Sequence, residues 1–434
     1  MKPAIAKATR EASSFSYTVS KYLFLFGLAF VTFESVRPGG IMLSDYFFLL
    51  SIIFLPKARL KEIGGSGVLL ASGALLTGAV LSVYFSGGWG DGAANLLKLA
   101  LLFAVIAPLS LCHSKDIYRC LLFIAGGIFL NCFITVLQAF MFPGIVDALS
   151  INPPQPDVAF SGRYQGLTEY PVTLGLTAAL GVLLAMGIYA VEKMKVVRWT
   201  LIFAIFICSV AALLSGSRTF FGSLIPALLM YAFLQKKQRM KTLYSILGLV
   251  LIWGSVSYVA PDVVSQFSQR VNSVGIVDYS RLAASAQALV EISQKPIFGW
   301  GADHFDEGGV VYLPETGEIT GAHNTLLRYW YATGLLGAIG FLMLFIAPFR
   351  QLHKALKLRI SERVANAVRL SMAATLFFFV VTNLGPYIFN RYIFIPLFIV
   401  AGFATRLVQS ANAAVAAQPV PLQFPRSPIP RTTT

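Results

Sequence analysis

Residues 118–142 read YRCLLFIAGGIFLNCFITVLQAFMF, and no charged residue follows Arg119 within them. A run of roughly 20 apolar residues makes about 30 Å of helix, enough to cross the hydrocarbon core of a bilayer. Comparable runs recur about twelve times by that criterion: near 18–35, 42–56, 66–86, 93–112, 118–142, 169–190, 197–215, 218–234, 242–260, 325–348, 366–384 and 388–407. They are too long for the strands of a transmembrane β-barrel, and their connections are too irregular. The expected fold class is an all-α integral membrane protein of about 12 transmembrane helices.

Composition agrees. The 434 residues are 56% hydrophobic and 12% charged, with mean hydropathy +0.72, more apolar surface than a soluble domain can bury. A net charge of +15 would suit a nucleic-acid partner, but its distribution does not. Basic residues gather in alternate loops: Lys57, Arg59 and Lys61; Lys115 and Arg119; Lys193, Lys195 and Arg198; Lys236, Lys237, Arg239 and Lys241; Arg350, Lys354, Lys357, Arg359 and Arg363. The intervening loops hold Arg37, Arg163, Arg218, Arg270, Arg281 and Arg391. This positive-inside alternation places both termini in the cytoplasm and accounts for the basicity without nucleic acid. The four cysteines lie in or beside spans, so no disulfide framework is implied. No His/Cys cluster or paired acidic motif has metal-ligand spacing, and neither metal nor cofactor is expected.

The chain thus divides into a cytoplasmic N-terminal segment (1–17), nine spans (18–260), an outside loop (261–324), three spans (325–407) and a cytoplasmic tail (408–434). The first apolar run lacks a small-residue cleavage site and reads as a retained span. From Gln409 onward, Ala, Pro, Ser and Thr without apolar periodicity point to disorder. A smaller outside segment, Phe142 to Thr168, carries Pro143, Pro153, Pro154 and Pro156, which exclude a helix there. The long loop of about sixty residues is the one large polar excursion, the kind of segment that carries function on a rigid scaffold. Within it Tyr279 to Gln294 places Leu282, Leu289 and Ile292 at helical spacing, predicting an amphipathic helix lying on the bundle. Pro296 and Gly299 stop that helix. Gly301 to Thr320, with Asp303, Asp306, Glu307, Glu315 and Glu318, is acidic, Gly-rich and expected to be mobile.

The loop closes in Gly321-Ala-His323-Asn324. Imidazole accepts a proton near neutral pH, so His323 is a candidate general base for a hydroxyl nucleophile. The alternative is a histidine that caps the next span or bonds an interface carbonyl. Arg218, in the tight outside turn Ser215-Gly-Ser-Arg218, either faces an anion or snorkels to headgroups. Arg281 opens the loop helix, where a cation meets the dipole unfavourably unless an anion or water attends it. Arg163 follows a glycine in the Pro-rich segment and can be simply solvated. Together these residues point to a phosphate-bearing substrate beside a hydroxyl to be activated, because guanidinium binds phosphate through bidentate, charge-assisted hydrogen bonds.

At these residues the chain resembles the O-antigen ligase and O-antigen polymerase superfamily of bacterial envelope glycosyltransferases. Arg163-Tyr-Gln-Gly-Leu167 resembles the family's Arg-x3-Leu element, and Ser215-Gly-Ser-Arg218 its outside turn with an arginine. Ser280-Arg281 and Lys295-Pro-Ile-Phe-Gly-Trp-Gly301 resemble the start and end of its loop helix. His323-Asn324, nine residues, then Gly334-Leu-Leu-Gly337 fits the ligase-type signature. Where family members often carry His-Pro-Asn after Arg-x3-Leu, this chain has Glu169-Tyr170-Pro171.

The resemblance implies a metal-independent transfer at the periplasmic face of the bacterial inner membrane. Undecaprenyl diphosphate-linked glycan would be the donor, and the lipid A core or a glycan the acceptor. Arg218 and Arg281 would hold the diphosphate, with Arg163 as a supporting contact. His323 would activate or position the acceptor, and Asn324 would support it. Ligation of glycan to the lipid A core is the leading expectation and polymerisation of lipid-linked repeat units the alternative. A lipid-linked glycan transporter is a third reading. It calls for charge inside spans and for broken helices in matching halves; the spans hold little mid-membrane charge, Lys98 being the main exception, and the charge of interest lies at the outer edge.

Overall fold

The structure, a computed structural model, describes residues 2–38, 41–56, 67–108, 116–151, 163–235, 247–248, 279–313, 318–358 and 360–416. The elements are α1 (Lys2–Ala29), α2 (Leu43–Ile53), α3 (Gly67–Ser86), α4 (Trp89–Ala104), α5 (Ile117–Phe140), α6 (Ile145–Leu149), α7 (Pro171–Tyr189), α8 (Lys195–Leu214), α9 (Thr219–Leu234), α10 (Tyr279–Gln294), a ribbon β1 (Val311–Leu313) and β2 (Glu318–Thr320), α11 (Thr325–Ala355), α12 (Glu362–Leu384) and α13 (Arg391–Ala416). Among the described residues, seven helices are long and apolar enough to cross a membrane, namely α3, α5, α7, α8, α11, α12 and α13; α2 and α9 are shorter apolar helices. The chain is therefore a helical, multi-pass membrane protein. The span expected at 242–260 lies outside the described residues apart from 247–248.

Burial explains the patterns. α7 is central: every residue from Thr173 to Ile188 is buried, and it packs on α5, α8, α9 and α12. A helix enclosed on all sides needs no polar stripe, which is why its sequence is apolar all round. α3 runs along α11 by a small-residue seam. A Cβ on Gly78 would meet the Gly337 nitrogen at 2.6 Å, and one on Gly340 the Leu75 nitrogen at 2.6 Å. Apolar side chains gain little by leaving lipid for protein, so close backbone approach is what holds such a seam.

Contacts sort the loops into two ends. At one end Tyr118 Oη donates to the Arg363 carbonyl (2.7 Å), Asn366 Nδ2 donates to the Gly187 carbonyl (2.9 Å) and Tyr231 Oη donates to Asn366 Oδ1 (2.7 Å). Lys21 pairs with Asp116 at 2.9 Å there. At the other end Ser35 N donates to the Leu167 carbonyl at 3.0 Å, Tyr164 N to Leu214 at 3.1 Å, and Asn95 Nδ2 to Ala302 at 2.7 Å. The second set joins the loops that lack basic clusters, and is called the outer end below.

Four expectations change. Where the first span is expected at 18–35, the helix ends at Ala29, and residues 30–35 lie beyond it in turns. The segment after Phe142 does hold a short helix, Ile145–Leu149, lying before the other prolines. Helix α13 runs to Ala416, past the start of the expected tail at 408; residues 417–434 are outside the described set. Most importantly, the described part of Gly301 to Thr320 is a folded cap with a ribbon pairing Val311 with Thr320 and Tyr312 with Ile319, and Phe305 buried at 1% exposure.

Candidate functional site

Helix α11 is broken where the cap meets it. Gly334 leaves the helical path at φ +68°, ψ −170°, a conformation open to glycine and costly for other residues. The break frees carbonyls that the cap then satisfies. Trp300 N donates to Tyr331 O (2.8 Å), Gly301 N to Ala332 O (3.1 Å), and Ser82 Oγ of α3 to the same Ala332 O (2.5 Å). In return Leu335 N donates to Pro296 O at 3.0 Å, and Trp330 Nε1 to the same oxygen at 3.1 Å. Lys295-Pro-Ile-Phe-Gly-Trp-Gly301 is thus a docking segment, and the first glycine of Gly334-Leu-Leu-Gly337 makes room for it.

The amphipathic helix α10 is present, but its buried face differs from the expected one. Ala284, Ala288 and Ile292 are at 0–3% exposure, whereas Leu282 and Leu289 are exposed at 57% and 50%. The small face lets the cap approach: Gly309 packs over the Ala284 carbonyl and Ala288, and its N–H donates to Glu291 Oε2 at 2.8 Å.

At the end of the cap, His323 is half-buried and its Nδ1 lies 2.8 Å from the Gly321 carbonyl oxygen. A carbonyl only accepts, so Nδ1 carries the hydrogen and the neutral ring keeps its lone pair on Nε2. Asn324 is the N-cap of α11: its Oδ1 accepts from Leu327 N at 3.1 Å, and its Nδ2 donates to Asn383 Oδ1 at 3.1 Å. Thr325 Oγ1 donates to the Gly385 carbonyl (2.7 Å) and accepts from Tyr387 N (2.9 Å). Arg281 reaches the same turn, Nη1 donating to the Leu384 carbonyl at 3.3 Å. Asn324, Thr325 and Arg281 therefore all bond the end of α12 and the turn that follows it, residues 383–387, and His323 directly precedes Asn324 in the chain. Tyr387 is buried beside them, and burial pushes its phenol above the usual range while Arg281 opposes that rise.

Arg163 reaches the turn that leads into Arg218. Arg163 Nε donates to the Ser215 carbonyl at 2.7 Å, in the turn Ser215–Arg218 that bends at Gly216 (φ +59°). Four residues on, Leu167 is buried in a satellite cluster with Phe33, Ile134 and Val146, and its N–H donates to Asn131 Oδ1 at 2.8 Å. The Arg-x3-Leu element thus pins one strand of chain between α5 and the Arg218 turn. Helix α9, which begins after Arg218, packs along α12, with Gly222 against Leu384. The two groups so share the outer end of the α9–α12 pair. Arg270 lies outside the described residues.

Glu34, Asp45 and Arg328 are charged residues that the sequence motifs do not single out, and the structure gives each of them a partner. Arg37 pairs with Glu169 (2.8 Å) and Arg391 with Asp45 (2.8 Å), so both outer arginines are committed to carboxylates. Glu34 is buried among them at 4% exposure, its Oε2 accepting from Glu169 N at 3.1 Å. The departure at Glu169 is therefore filled by an ion pair. Lys98 sits over the Phe389 ring at 5.6 Å. Arg328, a buried charge five residues after His323, bonds Asp306 (2.8 Å) and the Ala322 carbonyl (2.7 Å). The signal for it was available, since an ionisable residue inside a span is a functional candidate by default.

Residues 203–342 match the family model described as O-Antigen ligase. The resemblance to the O-antigen ligase and polymerase superfamily is shown over that segment, which holds Arg218, Arg281, His323, Asn324 and Gly334 but not Arg163. No curated protein matches the chain.

Proposed function

We propose that the protein is a glycosyltransferase that moves a glycan from an undecaprenyl diphosphate carrier onto the lipid A core of lipopolysaccharide, at the periplasmic face of the bacterial inner membrane with both termini cytoplasmic. The observation that carries this reading is that Arg281 and Asn324, the residue after His323, bond neighbouring residues at the end of α12, at the end of the bundle that also holds the Arg163–Ser215 contact. The family match covers Arg218, Arg281 and His323 and supports a function of the O-antigen ligase or polymerase kind.

The acceptor hydroxyl oxygen attacks the anomeric carbon of the donor's reducing-end sugar. The bond from that carbon to the diphosphate oxygen breaks, and its electron pair leaves on the diphosphate. His323 Nε2 takes the hydroxyl proton, a role that its Nδ1 contact with Gly321 supports. Arg218 and Arg281 stabilise the charge that grows on the leaving diphosphate, with Arg163 holding the Arg218 turn in place. Asn324 fixes the start of α11 beneath the imidazole.

Transport is favoured less by the same geometry. Transporters use helix breaks to face a substrate or ion, whereas here the carbonyls freed at Gly334 accept from the protein's own cap.

The test is reconstitution with lipid-diphosphate-linked glycan and lipid A core, followed by gel separation of the products. Glycan on the core, absent with His323→Ala, is the expected result. A ladder growing on the polyprenyl carrier with the core untouched identifies the polymerase instead. Carrier crossing the bilayer without a new glycosidic bond identifies a transporter.

A further inference from the structure

We propose that Arg328 is a positioning residue for His323, fixing the backbone that aims the imidazole; the claim rests on His323 being the base assigned above. Arg328 lies in the first turns of α11, and its guanidinium is buried at 9% exposure. A buried guanidinium must satisfy its donors on acceptors, and the acceptors here lie on either side of the ribbon. Nε donates to the Ala322 carbonyl at 2.7 Å; Nη1 donates to Asp306 Oδ1 at 2.8 Å and reaches the Phe305 carbonyl at 3.5 Å. Nη2 lies against Gly321, where a Cβ would come within 3.1 Å of it.

These contacts act on the two peptide units that precede His323. In the first, Gly321–Ala322, the N–H donates to the Gly308 carbonyl at 3.1 Å and the carbonyl takes the His323 Nδ1 hydrogen at 2.8 Å. In the second, Ala322–His323, the carbonyl takes the Arg328 Nε hydrogen. The carbonyl that sets the imidazole's tautomer is thus held by a peptide whose next neighbour is clamped by Arg328. Asp306 in turn holds the guanidinium from the cap side, although its own side chain is 88% exposed. The planar fork is essential to this arrangement, because a lysine ammonium is a point charge on a flexible stem and does not span Ala322 and Asp306 in one fixed plane. A residue acting only as a staple for the cap would affect every property of the site together. A positioning residue affects turnover through the base and leaves donor binding in place.

The test uses the full chain in proteoliposomes with lipid-diphosphate-linked glycan and whichever acceptor it uses, comparing Arg328→Ala, Arg328→Lys, Asp306→Asn and His323→Ala. Thermal melting confirms that each is folded. Arg328→Ala is expected to lower kcat about tenfold or more while donor KM stays within about twofold. Added guanidinium ion should restore part of that loss saturably, and Arg328→Lys should not restore it. Asp306→Asn, altering an exposed carboxylate, should lower kcat about threefold with the melt unchanged. Native kcat in Asp306→Asn overturns the proposal even where Arg328→Ala does not fold. So does a parallel change of kcat and KM in Arg328→Ala without guanidinium rescue. If His323→Ala itself turns over at the native rate, the assignment of the base fails and the positioning role falls with it. If His323→Ala is inactive while the other variants are native, only the role of Arg328 is lost.

Discussion

Gly334 abuts the carbonyl of Ile297, and a Cβ there would overlap that oxygen and the backbone of Phe298. The broken helix and the docking segment therefore require each other: without the break the cap has no carbonyls to bond, and without the cap the carbonyls of Tyr331 and Ala332 lose the N–H donors of Trp300 and Gly301. Gly334→Ala is expected to cost at least about 2 kcal/mol from backbone strain and lost bonds. Protease sensitivity of the cap, measured beside the thermal melt, should rise first, because the cap depends on the break more than the spans do.

Asn324 has a structural duty distinct from that of its neighbour. Its side chain caps α11 and bonds Asn383, so Asn324→Ala should destabilise by about 1 kcal/mol, the usual loss for an N-cap. Asn324→Asp keeps the cap acceptor and should recover most of that stability. Thermal unfolding of the two variants in one detergent makes the comparison.

Arg163 and Arg218 are expected to separate in kinetics. Arg163 donates to the Ser215 carbonyl and shapes the turn, whereas Arg218 is assigned to the diphosphate. Arg218→Lys, which keeps charge but loses the fork, should lower transfer about tenfold or more. Arg163→Lys should lower it several-fold less. Steady-state rates at varied donor concentration give the answer, and equal losses would place both guanidiniums on the donor.

Much of this was legible in sequence, and the exceptions have physical causes. Length and lack of charge disclose the seven long apolar helices found among the described residues, because lipid imposes both. The His323-Asn324 to Gly334-Gly337 spacing was visible, but not that Gly334 breaks a helix, since the break is defined by the segment docked into it. Of the apolar residues at helical spacing in α10, Ile292 packs inward but Leu282 and Leu289 do not. Close approach of Gly309 instead selects Ala284 and Ala288. The cap looked loose because its order comes from Arg328–Asp306 and from backbone bonds to α11, neither of which leaves a hydrophobic period. The extension of α13 follows from helix propensity: Ala411, Ala413, Ala414 and Ala416 favour helix without an apolar stripe.

Glu34 gives the outer end a pH dependence. It lies in the turns beyond α1, and burial lifts its carboxyl from 4.5 to about 7 despite the Glu169 N–H and the charges of Arg37 and Arg391. The folded state then binds the proton more tightly than the unfolded chain. The resulting stability is fully present below about pH 4.5 and is lost as pH rises through about 7, a change on the order of 3 kcal/mol. Glu34→Gln imitates the protonated form, so it should melt near the native temperature at pH 5 and above it at pH 8. A native-like fall in stability between those pH values in the variant would show that Glu34 is not its source.

The central claim is that His323 accepts the acceptor's proton during glycan transfer. The most direct measurement is the rate of lipid-diphosphate release at saturating donor and acceptor, in native protein and in His323→Gln, with donor binding measured on the same samples. The rate should fall by about a hundredfold or more, the usual worth of a general base, while donor affinity is retained. Release at the native rate from His323→Gln would contradict the account.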